Sequence, residues 1–243
     1  MKILDHGEIK IIDNMGTDID VVRAARTSHQ ASDKSGDNPE ADAKLLKFLM
    51  NSGHNTPFES VVLKFYVKAP IFVFRQWHRH RTQSYSEASA RYTVLPEEFY
   101  IPEPHLVGKQ HPTNKQARVT NYEELTHREQ LIIDGMLLAM RVHNKQSFTL
   151  YKQMLKNGMP KELARSVLPV STYSEMFTTI NLHNLFGFLW ERMHEHAQYE
   201  IRVYANAMFE LIEPIVPVAA AAFKQKMIDA GRLPNYGVHA VTD

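Results

Sequence analysis

Ten residues, Ser60–Ala69 (SVVLKFYVKA), place Val61, Leu63, Phe65 and Val67 on one side of an extended chain and Lys64 and Lys68 on the other. A two-residue repeat of β-branched and aromatic side chains specifies a strand with one face buried. Such a strand needs paired neighbours and a cover. Lys2–Ile12 and Ser171–Ile180 (STYSEMFTTI) read as further strands.

Helices supply the cover. Thr17–Asp20 offers cap residues for a helix carrying Val21, Val22, Ala24 and Ala25. Pro39 opens a second, as prolines at the first helical position do, and Gly53 stops it after Leu45, Leu46, Phe48, Leu49 and Met50. Pro70 begins a short helix, PIFVFRQWHRH. Arg118–Lys156 reads as helical with a break near Gly135, and Pro160 starts another short helix. Leu182–Glu213 reads as helical, with Leu182, Leu185, Phe186, Leu189, Trp190 and Met193 as its buried stripe and Pro214 and Pro217 ending it. Ser32–Asn38, Thr82–Tyr92 and the proline-spaced stretch to Thr113 read as loops. Strands and helices are mixed without strict alternation, which predicts an α+β fold: a mainly antiparallel sheet flanked by long helices. No repeat, linker or composition boundary interrupts the chain, so residues 1–243 are predicted to form a single domain, with about 224–243 as a C-terminal tail.

Lys+Arg is 28 and Asp+Glu is 27, a net charge of +1 that gives no global pull toward nucleic acid or membrane. Cysteine is absent, which removes disulfides, Cys-ligated zinc, iron–sulfur sites and any thiol nucleophile. The N-terminus, MKILDHGEIK, turns charged too early for the apolar core of a signal peptide. No apolar run is long enough to span a bilayer. The expectation is a cytoplasmic protein without membrane or nucleic-acid partners.

Against that near-neutral background, Arg75–Tyr92 (RQWHRHRTQSYSEASARY) is a positive pole. It holds Arg75, Arg79, Arg81 and Arg91 with His78 and His80, opposed by Glu87 alone. Guanidinium forks grip phosphate in pairs of hydrogen bonds and stay charged at any working pH. A solvated basic face is the plainer reading of an arginine run. Two features favour a ligand: the run follows an apolar helix (Ile71, Phe72, Val73, Phe74), and the loop after it is rich in small residues.

Three further windows stand out. In GHNTPFE, His54 is placed either to touch a ring or donate a hydrogen bond, or simply to cap the preceding helix. In ELARSVLP, Arg165 among apolar residues is expected to be partly buried and so calls for an anionic partner, a carboxylate or a bound phosphate. In INLHNLFGFLWERMHEHAQ, Arg192 and His196 are four apart and share a helix face, and Asn181 and His183 sit at the strand-to-helix junction. The pairs His78/His80 and His194/His196 do not have zinc spacing, since residues two apart on a helix diverge; no metal is expected.

These windows, in this order, resemble the flavin-dependent thymidylate synthases, the ThyX family. Arg79-His80-Arg81 followed after seven residues by Ser89 (RHRTQSYSEAS) is similar to the family signature, and the resemblance runs from about Lys2 to Phe223. It implies a ThyX-like fold and an enzyme that methylates dUMP to dTMP with FAD as cofactor, methylenetetrahydrofolate as carbon donor and NADPH as reductant. It also implies a homotetramer whose active sites are built from several chains. The lack of cysteine agrees with a mechanism that needs no thiolate attack on uracil.

Carried over by position, Gln76, Arg79, Glu87, Ser89, Arg91, Arg165 and Arg192 match dUMP-binding residues. Arg192 matches the position that polarises the uracil ring and is the catalytic candidate. Ser28, His54, Thr56, Arg79, His80, Arg81, Thr82, Glu87, Asn181 and His183 match FAD contacts. The chain departs from the family pattern at Ser86, where Asn is frequent, at Ser60, where His is common, and at His183 and Gly187, which replace an Arg and an Asn beside the flavin. Two other readings stand beside this one. Arginines interleaved with Trp77 and Tyr85 suit a nucleic-acid-binding module. The flavin-side departures suit a dUMP-binding relative with altered cofactor use.

Overall fold

Val61, Leu63, Phe65, Val67 and Ala69 are all excluded from water, while Lys64 between them is exposed. The alternation read from the sequence is therefore the burial pattern of a strand. The computed structural model describes residues 1–113, 115, 118–119 and 122–233. Among these the strands are β1 (Lys2–Ile3), β2 (Gly7–Met15), β3 (Val62–Pro70), β4 (Ser84–Glu87), β5 (Lys109–Gln110), β6 (Arg118–Val119) and β7 (Tyr173–Asn181). The helices are α1 (Asp18–Thr27), α2 (Pro39–Ser52), α3 (Ile71–Trp77), α4 (Pro104–Val107), α5 (His127–Lys156), α6 (Lys161–Ala164), α7 (Leu182–Arg192), α8 (Tyr199–Ile212) and α9 (Pro217–Asp229). The main sheet has the order β1-β2-β3-β7-β4 and is antiparallel, so the fold is α+β.

The chain forms two compact units, each assembled from three separate stretches. The first takes Met1–Ile9, Tyr66–Arg79 and Tyr85–Phe177. The second takes Lys10–Phe65, His80–Ser84 and the described residues of Thr178–Asp243. Because the stretches interleave, neither unit leaves a composition boundary in the sequence.

In the first unit, α3 follows β3 without a loop. It is anchored by buried Val73, Phe74 and Trp77, and its leading N–H groups donate to Thr172 and Val170 carbonyls. A smaller core of Phe99, Ile101, Phe148, Tyr151 and Ala164 holds α5 and α6. In the second unit, α7, α8 and α9 bury Leu185, Phe186, Leu189, Tyr204, Phe209 and Phe223. The Phe186 and Phe223 rings stack at 4.5 Å, and Phe58 meets Phe186 edge-on at 6.0 Å.

Several boundaries differ from the sequence reading. Lys2–Ile12 is a hairpin rather than one strand. Leu4 takes a positive φ of 56°, and Asp5 ties the turn down by accepting from Tyr173 Oη at 2.5 Å and from the Ile101 N–H at 3.2 Å. The stretch Thr82–Tyr92 is not all loop, because Ser84–Glu87 adds to the sheet as β4. The proline-spaced stretch contains α4.

Arg118–Lys156 is not one helix. Arg118–Val119 is extended, and α5 begins at His127, where Thr126 and Glu129 cap each other reciprocally. Gly135 does not interrupt α5; a glycine costs about 1 kcal/mol relative to alanine, which a helix of 30 residues absorbs. Leu182–Glu213 splits at Arg192 and resumes at Tyr199. Pro217 opens α9 instead of ending the helical region, and α9 carries residues 224–229 of the expected tail. Residues 234–243 lie outside the described ones.

The two faces of β3 predict opposite mutational responses. Phe65→Ala is expected to cost about 3–5 kcal/mol of stability through the cavity it leaves. Lys64→Ala should change stability by less than about 0.5 kcal/mol. Urea unfolding of both variants reads the difference.

Candidate functional site

In the first unit the basic residues converge on an acid. Glu162 on α6 pairs with Arg91 at 3.4 Å through its carboxylate, and its backbone carbonyl accepts from Arg165 Nε at 3.4 Å. Two guanidinium groups predicted from distant windows therefore meet at one residue. Arg165 is exposed rather than partly buried, and the Arg91–Glu162 pair is about half exposed on both sides. A pair so open to water holds each partner weakly, so an incoming dianion can take over both cations.

Ser89 sits at the head of the same loop, and its hydroxyl oxygen accepts from the Arg91 N–H at 3.3 Å. Glu87, at the end of β4, accepts from Ser174 Oγ at 2.8 Å and lies 4.0 Å from His78 Nε2. Gln76 is in the last turn of α3, and Arg79 stands exposed just beyond it.

In the second unit, Arg192 is the last residue of α7 and is half buried. Its Nε–H donates to His80 Nε2 at 3.0 Å. The His80 ring also meets the Phe188 ring edge-on at 4.8 Å. Burial lowers the His80 pKa from 6.5 to about 4, the Arg192 cation adds to the effect and Glu191 opposes it. Burial likewise lowers the pKa of Arg192, again against Glu191. His80 is thus an uncharged imidazole at neutral pH. His196 does not share a face with Arg192, because α7 has ended; the His194 and His196 rings instead meet each other at 4.5 Å.

Asn181 caps α7, its side-chain oxygen accepting from the Asn184 N–H at 2.8 Å. One turn later His183 and Gly187 line a cavity of about 210 Å³, walled by Phe58, Phe186, Trp190 and Phe223 and edged by Asn55 and Lys226. A side chain added at Gly187 would meet nothing within 4 Å. Gly53, at φ 72°, ends α2; the His54 backbone N–H closes the helix on Leu49, leaving the ring against Phe48 at 5.8 Å. Thr56 opens the 3-10 turn that follows. Ser28 caps α1 and donates to the Ala25 carbonyl at 2.9 Å, and Arg81 and Thr82 are exposed.

Four residues here escaped the sequence reading: Glu162, Phe188, Gln83, whose Nε2 donates to the His80 carbonyl at 3.2 Å, and Thr178, whose Oγ1 donates to the Gln83 side-chain oxygen at 2.7 Å. Glu162 and Gln83 lie inside windows already singled out, three positions before Arg165 and three after His80, a spacing that allows local contact. Thr178 and Phe188 carry no sequence signal of their own, being an ordinary strand position and an ordinary helix position.

Residues 10–218 match the family described as thymidylate synthase complementing protein. A flavin-dependent thymidylate synthase of Wolbachia pipientis wMel is 40% identical over 240 residues, covering 99% of this chain and 81% of that one. One from Thermus thermophilus is 41% identical over 240 residues, covering 98% and 83%. Among solved structures, the UMP/dUMP methylase PolB from Streptomyces cacaoi bound with 5-Br UMP superposes with a TM-score of 0.79 at 30% identity, covering 92% of this chain and 96% of that one. The chain belongs to the family of flavin-dependent thymidylate synthases.

The lowered His80 pKa fixes a pH response. Between pH 6.5 and about 4 the unfolded chain takes up a proton at His80 that the folded chain refuses. Stability at this site is therefore full above pH 6.5 and falls as pH drops through that window. His80→Gln, which keeps an acceptor but cannot titrate, should lose less melting temperature between pH 7 and pH 4.5 than the parent protein does in parallel thermal melts.

Proposed function

We propose that this chain methylates dUMP to dTMP, drawing the carbon from methylenetetrahydrofolate and reducing equivalents from NADPH by way of FAD. The observation that carries the reading is Arg192: a half-buried cation held by an uncharged imidazole, in a cysteine-free chain of this family.

Arg91 and Arg165 are the phosphate grip, since each already reaches an oxygen of Glu162 and a phosphate dianion carries more negative charge than that carboxylate does. Arg79, Gln76, Glu87 and Ser89 complete the nucleotide set. Arg192 stands at the uracil edge. A fixed cation there stabilises negative charge as N3 loses its proton, and that charge makes C5 a carbon nucleophile. No side chain of the protein has to bond to C6.

The residues of the second unit fit a flavin. His54, Thr56, Asn181 and His183 offer hydroxyl, amide and imidazole groups near an aromatic-walled cavity, and Gly187 leaves room for a flat group. Ser28, His80, Arg81 and Thr82 supply polar and cationic partners, as do Arg79 and Glu87 in the first unit. When bound, FAD supplies the hydride chemistry, and the protein orders the ligands and excludes water.

The homotetramer is carried over from the family resemblance; association of copies as such is supported by α5, which exposes Leu131, Ile132, Met136, Leu138 and Val142. Exposed apolar stretches of this kind mark association surfaces. A cytoplasmic location accords with a composition free of cysteine, which suits a reducing compartment. Among the described residues no helix is long and apolar enough to cross a membrane. UMP is a second substrate to weigh, because the structural neighbour PolB is a methylase of both UMP and dUMP.

Purified protein is expected to be yellow and to oxidise NADPH only when dUMP is added; a colourless protein that binds no added FAD overturns the reading. Comparing dUMP with UMP in the same assay separates the two substrates. Arg192→Ala should lower kcat by roughly a hundred- to thousand-fold, the size seen when a charge-stabilising donor is removed. Arg91→Ala and Arg165→Ala should each weaken dUMP binding by roughly ten- to hundred-fold in calorimetry, as loss of a hydrogen bond to a charged group does.

A further inference from the structure

A guanidinium group has five N–H donors and no acceptor. Once α7 carries Arg192 into a half-buried place, the acceptors that meet it decide which way its plane faces. The acceptor at Nε is His80 Nε2, 3.0 Å away. An imidazole nitrogen accepts only when it carries no proton, so the single ring N–H of His80 sits on Nδ1.

The ring itself is held from two directions. Phe188 and Arg192 are four apart on α7 and share one face, so the helix that presents the guanidinium also packs a ring edge against the imidazole. On the backbone side, Gln83 Nε2 donates to the His80 carbonyl at 3.2 Å. The Gln83 side-chain oxygen in turn accepts from Thr178 Oγ1 at 2.7 Å, and Thr178 is fully buried in β7. A hydrogen-bonded chain thus runs from the sheet to the end of α7 through Thr178, Gln83, His80 and Arg192.

We infer that His80, braced by Gln83, is the positioning residue of Arg192 and sets which edge of the guanidinium meets the pyrimidine. With Nε committed to His80, the Nη edge is the one that addresses the uracil carbonyl and the N3 position beside it. A bond at Nε constrains the plane of the whole group, because the guanidinium is flat and rigid beyond that atom. The role rests on the function proposed above for Arg192 and goes beyond it: the His80 ring serves the substrate side through Arg192, in addition to the flavin contact proposed for it.

The test compares His80→Leu with His80→Gln, each alone and in an Arg192→Ala background, reading kcat, KM for dUMP and the absorbance of bound flavin. His80→Leu should lower kcat, measured at saturating FAD, by roughly ten- to hundred-fold, the cost of misplacing a catalytic group by about an ångström. His80→Gln restores an acceptor oxygen and should recover most of that loss. In the Arg192→Ala background the His80 changes should add nothing, since two residues acting as one unit are not additive. Gln83→Met removes the brace while keeping the ring and should lower kcat in the same direction, which covers the case of a His80→Leu protein that does not fold.

If Arg192→Ala is impaired but His80→Leu turns over fully, or falls no further than His80→Gln does, the positioning role is wrong and the role of Arg192 stands. A His80→Leu protein whose sole defect is weaker flavin binding, with parental kcat once FAD is saturating, equally overturns it, in favour of a cofactor contact alone. Full turnover by Arg192→Ala overturns both readings together.

Discussion

One-sided burial of β3 is the constraint on which the rest is built. Val61, Leu63, Phe65, Val67 and Ala69 leave water entirely while Lys64 does not. That asymmetry fixes register, because a slip of one residue would turn every apolar side chain outward. It also fixes where the chain goes next. Pro70 has no N–H to continue a ladder, so the strand passes straight into α3, and α3 delivers Gln76 and then the arginine-rich loop. At the other strand-to-helix junction, Asn181 ends β7 and caps α7, and α7 delivers His183, Phe188 and Arg192. Candidate residues thus sit at or beyond rigid strand ends, where a small core can hold them still.

The polar chemistry follows a second rule, that a cation taken from water must meet an acceptor. The molecule applies it in two grades. Arg91 and Arg165 stay on the surface and share Glu162, a contact loose enough to be exchanged for a ligand. Arg192 is drawn further in and meets a neutral imidazole. A carboxylate in that place would neutralise the cation. An imidazole accepts the hydrogen bond and leaves the positive charge intact, which is what the role proposed for Arg192, stabilising developing negative charge, requires.

Much of this was legible in the sequence where the signal was local. The alternation of Ser60–Ala69, the proline at the start of α2 and the glycine at its end each state a rule confined to a few neighbouring residues. The four windows that carry the family resemblance were legible for the same reason. What stayed hidden depends on distance along the chain. Ser84–Glu87 is too short and polar to read as a strand and becomes one only by pairing with β7. The break after Arg192 is masked because apolar residues continue through Met193. His80 and Arg192 are 112 residues apart, and nothing in either window names the other. Arg165 was expected to be partly buried because its neighbours are apolar; α6 and the turn after it leave it outside, where it meets a backbone carbonyl instead.

The interleaving of the two units bears on how the protein comes to exist. A nascent chain emerges N-terminus first, and a domain made of one continuous stretch folds as soon as that stretch is out. Here the first unit lacks pieces until Phe177 has emerged, and the second, begun at Lys10, waits for the residues after Thr178. Neither unit is available to the ribosome as an early folding island. Most of the polypeptide must be synthesised before either core closes, which makes its assembly a late and nearly simultaneous event and leaves its apolar strands dependent on protection until then.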